Sequence, residues 1–327
     1  MQLDKKYLQE LSNDYGFIRD TLEKQLRLAD VLDRFNNDSY LSDKLSLKGG
    51  TNINLFVLNG PRLSLDIDLD YTAKVDKKAM LEERKNIYSN VLELVSKDYT
   101  IIPPDKKYHA LDSIELHYKN NNQTDDKIKL DINYMCRTHI LPEEQKQIKA
   151  PWCEKDIHMQ CVNEYEVFAS KMVALSNRAK PRDLYDTARL SQELNLSNGK
   201  IDLMHKCYIF YAAIGSKNPM ETISSQKYKY IDYDDVKKSL TPVLSKNERF
   251  NLTGSRNLLN ELMPEMQSLD YTDKEFLDEF QKGRYRPELL FDDEEILGRI
   301  AMHPMAQWKC ANNAKQNEGF QDYERED

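Results

Sequence analysis

From residue 62 to residue 70 the chain reads RLSLDIDLD, with a serine and then acids at every second position. On a strand, Leu63, Leu65, Ile67 and Leu69 would point to one face, and Ser64, Asp66, Asp68 and Asp70 to the other. Asp66 and Asp68 would then share a side, where their hard oxygens suit a divalent ion such as Mg2+ or Mn2+. Asp131 belongs to a second alternating run, KIKLDINYM, and offers a third ligand or a base from its polar face. Lys48-Gly49-Gly50-Thr51 comes just before the acids. It reads as the end of a short strand, a glycine turn and a helix start, where backbone N–H groups can approach a phosphate. An acidic metal site beside a phosphate-binding turn is equipment for nucleotidyl transfer, in which a hydroxyl attacks a nucleotide and pyrophosphate leaves. A lone D-x-D is more often a solvated strand face. The preceding turn and the later acid favour the metal site.

A second constellation is FASKMVALSNRAKPRDLYD, residues 168–186. Lys171 and Arg178 are seven apart and share a helical face, with Leu175 between them. Asp183 and Asp186 are three apart in the opening turns of the next helix, where the helix dipole favours acids. Lys171 would meet a triphosphate, with Arg178 and Arg182 close by and Asp183 orienting them. The plainer reading is a helix junction tied by salt bridges, which has most weight for Arg182 and Asp186.

Several elements must position these groups. Residues 4–12 and 17–36 read as helices, the second with an apolar stripe of Phe17, Ile18, Leu22, Leu26, Val31, Leu32 and Phe35 and with Glu23, Lys24 and Arg27 elsewhere. Leu45–Leu47 is a short strand, TNINLFVL a helix and residues 76–97 an amphipathic helix. Strands follow at 99–102 and 110–118, the first ending at a Pro-Pro break, and then the Asp131 strand. This gives an α+β expectation, with a small mixed sheet and packed helices over residues 1–150. A mostly helical region, residues 151–310, would complete the site with helices at 162–179, 182–194, 200–215, 233–246, 256–268, 273–282 and 293–302. Residues 311–327 read as a polar, flexible tail.

The chain has 327 residues and a formal net charge of -8, which argues against general nucleic-acid affinity across the surface. Arg178, Lys180, Arg182 and Arg189 could still form a local basic groove for RNA. The five cysteines are scattered and none forms a CxxC pair, so no disulfide framework is expected. The His158-to-Cys161 spacing has no second ligand pair and reads as incidental. No run is long and apolar enough to span a bilayer, and the N-terminal stretch lacks a signal-peptide core, so the expected location is cytoplasmic.

Lys48-Gly49-Gly50-Thr51, Arg62-x-Ser64-x-Asp66-Ile67-Asp68-Leu69, Lys171-x3-Leu175-x2-Arg178 and Arg182-Asp183-x2-Asp186 occur in that order. Together they resemble the AbiEii/AbiGii toxin family, nucleotidyltransferase-like proteins that include the MenT toxins of mycobacteria. The resemblance covers roughly residues 20–190. It departs from the family pattern in the longer gap from Gly50 to Asp66, and in Asn52, where the family often has a small apolar residue.

The resemblance implies a polymerase-beta-type nucleotidyltransferase fold and the toxin of a type IV toxin–antitoxin or abortive-infection pair. It implies an AbiEi-like antitoxin partner, often a winged-helix repressor. It makes Ser64, Asp66, Lys171 and Asp183 the essential positions. With Asp68 and Asp131 they form the expected catalytic set. Lys48, Gly49, Gly50, Thr51, Arg62, Lys171 and Arg178 form the nucleotide set, and Asp66, Asp68 and Asp131 the metal set. Some family members add nucleotides to tRNA 3′ ends, and others are described as GTP-binding. The leading expectation is therefore a metal-dependent enzyme that moves NMP from an NTP to an RNA, most plausibly a tRNA 3′ end, and blocks translation. The alternatives are a protein or small-molecule acceptor, or an NTP-binding toxin module without turnover.

Overall fold

Seven strands form one mixed sheet: β1 Leu45–Lys48, β2 Asp66–Tyr71, β3 Thr100–Ile102, β4 Leu111–Lys119, β5 Asp125–Asn133, β6 Glu144–Gln147 and β7 His158–Cys161. Their order is β3-β4-β5-β2-β1-β7-β6, with β2/β5 and β1/β7 parallel and the other neighbours antiparallel. This computed structural model describes residues 3–102, 108–194 and 198–323. The expected Pro-Pro break after β3 lies outside them, as does the end of the chain from residue 324.

Among the described residues thirteen α-helices accompany the sheet. The first four are α1 Lys5–Tyr15, α2 Arg19–Asn37, α3 Gly49–Asn52, which continues as a π turn over Ile53–Val57, and α4 Lys77–Val95. Then come α5 Glu164–Arg178, α6 Pro181–Glu193, α7 Asn198–Gly215, α8 Pro219–Ile223 and α9 Tyr233–Ser239. The last four are α10 Leu252–Met266, α11 Tyr271–Gln281, α12 Glu294–Ile300 and α13 Pro304–Tyr323. The α+β class expected from the sequence is the class found.

The chain forms two compact units whose segments interleave. The first holds Met1–Arg137, Glu143–Glu164 and Asp232–Asn251, and the second holds Thr138–Pro142, Tyr165–Ile231 and Leu252–Asp327. This replaces the single boundary expected near residue 150. The sheet does not end there either, because β6 and β7 extend it.

In the first unit the alternation in β2 and β5 buries Ile67, Leu69, Ile128, Leu130 and Ile132 completely. Burying such side chains contributes about 1.5–3 kcal/mol each and fixes which face stays polar. The helix α2 buries Leu22, Leu28, Val31, Leu32 and Phe35. It also buries Glu23 and Arg27, which the sequence assigned to the other side. Arg27 donates to Glu23 and stacks over Tyr118, while Glu23 Oε2 accepts the N–H of Asn121 in the β4–β5 turn. The segment 232–251 returns to this unit late in the chain. Leu63 N–H donates to Val243 O at 2.8 Å, Arg62 and Leu244 form a bridge, and Lys246 N–H donates to Gly16 O at 2.8 Å.

In the second unit the helical expectations for 162–179, 182–194, 200–215, 256–268, 273–282 and 293–302 are met within a few residues. Residues 233–246, in the first unit, are only a short helix and a 3-10 turn. The polar stretch from residue 311, expected to be a flexible tail, continues α13 as far as Tyr323. Asn313 anchors it: this residue is buried and donates to Phe280 O at 3.0 Å.

Candidate active site

The polar face of the sheet carries one ladder of chemistry-bearing side chains. Ser113, Asp131, Asp68 and Lys48 lie in register across β4, β5, β2 and β1. One step along, Glu115, Lys129 and Asp66 form a parallel row. Carboxylates directly opposite on adjacent strands repel, so the Asp68–Asp131 pair needs a compensating cation. Lys129 supplies it here. Its ammonium sits 2.5 Å from Asp131 Oδ2 and also feels Asp66 and Asp68. Burial pulls the Lys129 pKa down, yet the three carboxylates outweigh that and raise it. Ser113 Oγ donates to Asp131 Oδ1 at 2.6 Å and fixes the carboxylate.

These acids suit a divalent ion by their chemistry. Three hard-oxygen donors share one face, Asp66 is exposed and Asp68 and Asp131 are half-buried, and a lysine already stands where positive charge is required. Among the described residues no three acid, histidine or cysteine side chains are yet gathered at one point in ligating geometry. The expected metal set is therefore brought onto one face but not drawn together.

The glycine turn packs onto the same place. Gly49 adopts a φ of +67°, and a Cβ there would lie 2.6 Å from Asp68 Oδ2. A Cβ on Gly50 would lie 2.9 Å from an Arg62 guanidinium nitrogen and 3.1 Å from Ser64 Oγ. The missing side chains thus let Asp68, Arg62 and Ser64 meet the turn. Thr51 Oγ1 donates to Asp66 O at 2.5 Å, tying the helix start to the first residue of β2. Asn52, the departure from the family pattern, is buried and donates to Leu47 O and Val162 O, which joins β1 to the end of β7.

One expectation is corrected here, and one acid gains a partner. Ser64 is not on the strand, which begins at Asp66. It is held by its backbone instead, its N–H donating to Gln25 Oε1 at 2.5 Å. Lys48 is engaged by Asp70 at 2.6 Å, which gives that acid a role sequence reasoning did not assign. Burial works against the Lys48 charge, but Asp70 more than offsets it and the pKa is raised.

The second unit holds the other constellation. Lys171 Nζ lies 3.1 Å from Asp183 Oδ1 and 3.2 Å from Asp186 Oδ2, and all three residues are buried. Arg178 reaches Asp183 through two hydrogen bonds of 2.7 and 2.9 Å. Burial raises the Asp183 pKa, but Arg178 and Lys171 outweigh it and hold the carboxyl below its ordinary range. The junction between α5 and α6 places Ala179 at a φ of +46°, which turns Arg178 and Asp183 towards each other. Arg178, Lys180 and Arg189 are exposed and Arg182 is half-buried. His158, on β7, pairs with Asp156 while Cys161 is buried, so these two residues form no ligand pair.

The sequence profile described as "Nucleotidyl transferase AbiEii toxin, Type IV TA system" matches residues 30–282. The chain belongs to the AbiEii toxin family. It is therefore a nucleotidyltransferase of a type IV toxin–antitoxin system, using an NTP, and its family pairs with an antitoxin. Among solved structures, MenT4, a nucleotidyltransferase toxin from Mycobacterium tuberculosis H37Rv, is similar in fold. Its TM-score is 0.62 at 14% identity, over 92% of this chain and 99% of that one. The E. coli MS115-1 CdnC:HORMA-deltaN complex aligns over 88% of this chain and 94% of that chain at 12% identity, but its TM-score of 0.25 is too low to inform the fold. No curated protein sequence matches this AbiEii chain. None of its described helices is long and apolar enough to cross a membrane.

Proposed function

We propose that this AbiEii protein moves NMP from an NTP to an RNA hydroxyl, that of a tRNA 3′ end, and so blocks translation. The observation that carries the reading is the in-register row Ser113, Asp131, Asp68, Lys48 with the Gly49-Gly50 turn packed on Asp68. Asp66, Asp68 and Asp131 would hold Mg2+ or Mn2+, which supplies a Lewis acid for the phosphoryl oxygens. The acceptor oxygen forms a bond to the α-phosphorus and the bond to the bridging oxygen breaks, so that pyrophosphate leaves. Asp131, oriented by Ser113, takes the acceptor proton. Ser64 and the backbone of the Gly49–Thr51 turn hold phosphate oxygens, and Arg62, whose guanidinium stands beside Gly50 as Ser64 Oγ does, keeps that surface positive. Lys171 and Asp183 are proposed as essential partners on the strength of the family motif. Arg178, Lys180, Arg182 and Arg189 are proposed as RNA contacts because they are cationic and three of them are exposed.

Purified protein incubated with tRNA and each labelled NTP, with and without divalent metal, tests the reading. Metal-dependent label on RNA, lost in Asp66→Asn, is the expected result. Label that follows protein in a lysate instead overturns the acceptor. Nucleotide binding without incorporation into any acceptor overturns the enzyme reading.

A further inference from the structure

The second unit has a cleft of about 890 Å³ between α8, α11 and α13 that the transfer chemistry does not use. Trp308 lines it and is 51% exposed, which is unusual for an indole unless a partner covers it. Lys217, Lys274 and Lys309 line the same cleft. Among the described residues neither Lys217 nor Lys274 is paired with a carboxylate, while Lys309 donates to Ser216 O at 3.0 Å. The two acids of the lining are already matched. Glu221 lies 3.8 Å from Lys227, and Asp278 pairs with Lys282. Asn218, Gln281, Asn312 and Gln316 add amides, which both donate and accept as base edges do.

A cleft that holds an exposed indole, three ammonium groups and several amides, with both of its acids in ion pairs, is the chemistry that receives a flexible nucleic-acid strand. The ring takes a base by stacking, the cations take the flanking phosphates, and the amides meet the base edge. An apolar helix would want a continuous greasy floor, and an acidic peptide would have no use for the indole. We infer that this cleft binds a single-stranded segment of nucleic acid, with one base stacked on Trp308 and its phosphates beside Lys217 and Lys274. The inference deepens the proposed function and rests on its acceptor being a nucleic acid. It can nevertheless be read by binding alone, without turnover.

The chain has two tryptophans, and Trp152 is completely buried, so collisional or stacking quench reports on Trp308. Titrating the full-length protein with a hexaribonucleotide should quench that emission and raise the anisotropy of a labelled hexamer. Trp308→Ala should weaken binding by about 5- to 150-fold, the value of one base–aromatic stack, and Trp308→Phe should largely keep it. Lys217→Ala with Lys274→Ala should lower the log–log salt slope by about 1.4. Both lysines are exposed, so this variant is informative even if Trp308→Ala melts early. A deoxyhexamer bound equally well would support the shared base-and-phosphate chemistry. Binding with unchanged emission, or unchanged affinity in Trp308→Ala, overturns the inference, as does polyglutamate quenching equally, which would point to an acidic protein. Asp66→Asn separates the two proposals. Loss of transfer with intact quench supports both, while RNA labelling by the parent without any quench overturns the cleft alone.

Discussion

Gln25 and Ser64 meet inside the first unit, where the amide oxygen of one accepts the backbone N–H of the other at 2.5 Å. Gln25 is wholly buried and stands on α2, far from the acids in sequence. Replacing it with leucine would strand a buried N–H, at a cost of about 1–3 kcal/mol. Gln25→Leu is expected to lower urea stability by that amount and to reduce kcat for NMP transfer. Gln25→Glu, which still offers an acceptor, should restore part of the turnover. A stability loss without any change in kcat would show that the contact serves the fold alone.

Lys129 draws on the carboxylates that the proposed metal needs. Lys129→Met should therefore tighten divalent binding, by up to about fivefold given that the lysine is half exposed. A Mn2+ titration followed by proton relaxation would read the shift. Weaker binding would assign Lys129 to substrate instead.

These two residues also show what the sequence could reveal. Period-two alternation in DIDLD and KIKLDIN made the polar faces legible, because burying Ile67, Leu69, Leu130 and Ile132 leaves the acids one side to occupy. Register was not legible. That Asp68 faces Asp131 depends on β2 and β5 pairing in parallel, which no local pattern encodes. Ser64 was assigned to the pleat because its spacing fits, yet its neighbour Leu63 is held by Val243, far downstream. Glu23 and Arg27 looked solvated because a buried ion pair has the same letters as an exposed one. The edge strand β6, EQKQ, has no apolar side chain to betray it.

Lys171 is enclosed by Asp183 and Asp186, so removing its charge takes away the cation that two buried carboxylates share, although Arg178 still reaches Asp183. Lys171→Met should cost about 3–5 kcal/mol in chemical denaturation. The depressed Asp183 pKa sets the acid limb. Its contribution is present above the unfolded value of 3.8 and is lost as pH falls through the lower folded value. Asp183→Asn should remove that part of the slope, which stability measured between pH 5 and pH 2 would reveal.

His205 predicts the opposite limb. Its Nδ1 lies 3.1 Å from Met266 O and its Nε2 lies 3.0 Å from Asp273 Oδ2. Burial opposes the imidazolium, but Asp273 outweighs it and the pKa rises above 6.5. That stabilisation is complete below the unfolded value of 6.5 and is lost as pH rises through the folded value. Urea midpoints from pH 5 to pH 9 should fall on the alkaline side in the parent, and the fall should be shallower in His205→Gln. Identical profiles would sink the assignment.

The return of residues 232–251 to the first unit governs when the enzyme can come into being. A ribosome that has just finished the acidic strand must add about 170 more residues before Val243 and Leu244 can hold Arg62 and Leu63. At typical elongation speeds that is a delay of roughly 10–35 s. Throughout that interval the nascent chain carries the acids and the glycine turn without the segment that fastens them. The cell that makes this toxin thus has a period of grace, written into the order of synthesis, in which an antitoxin can be waiting.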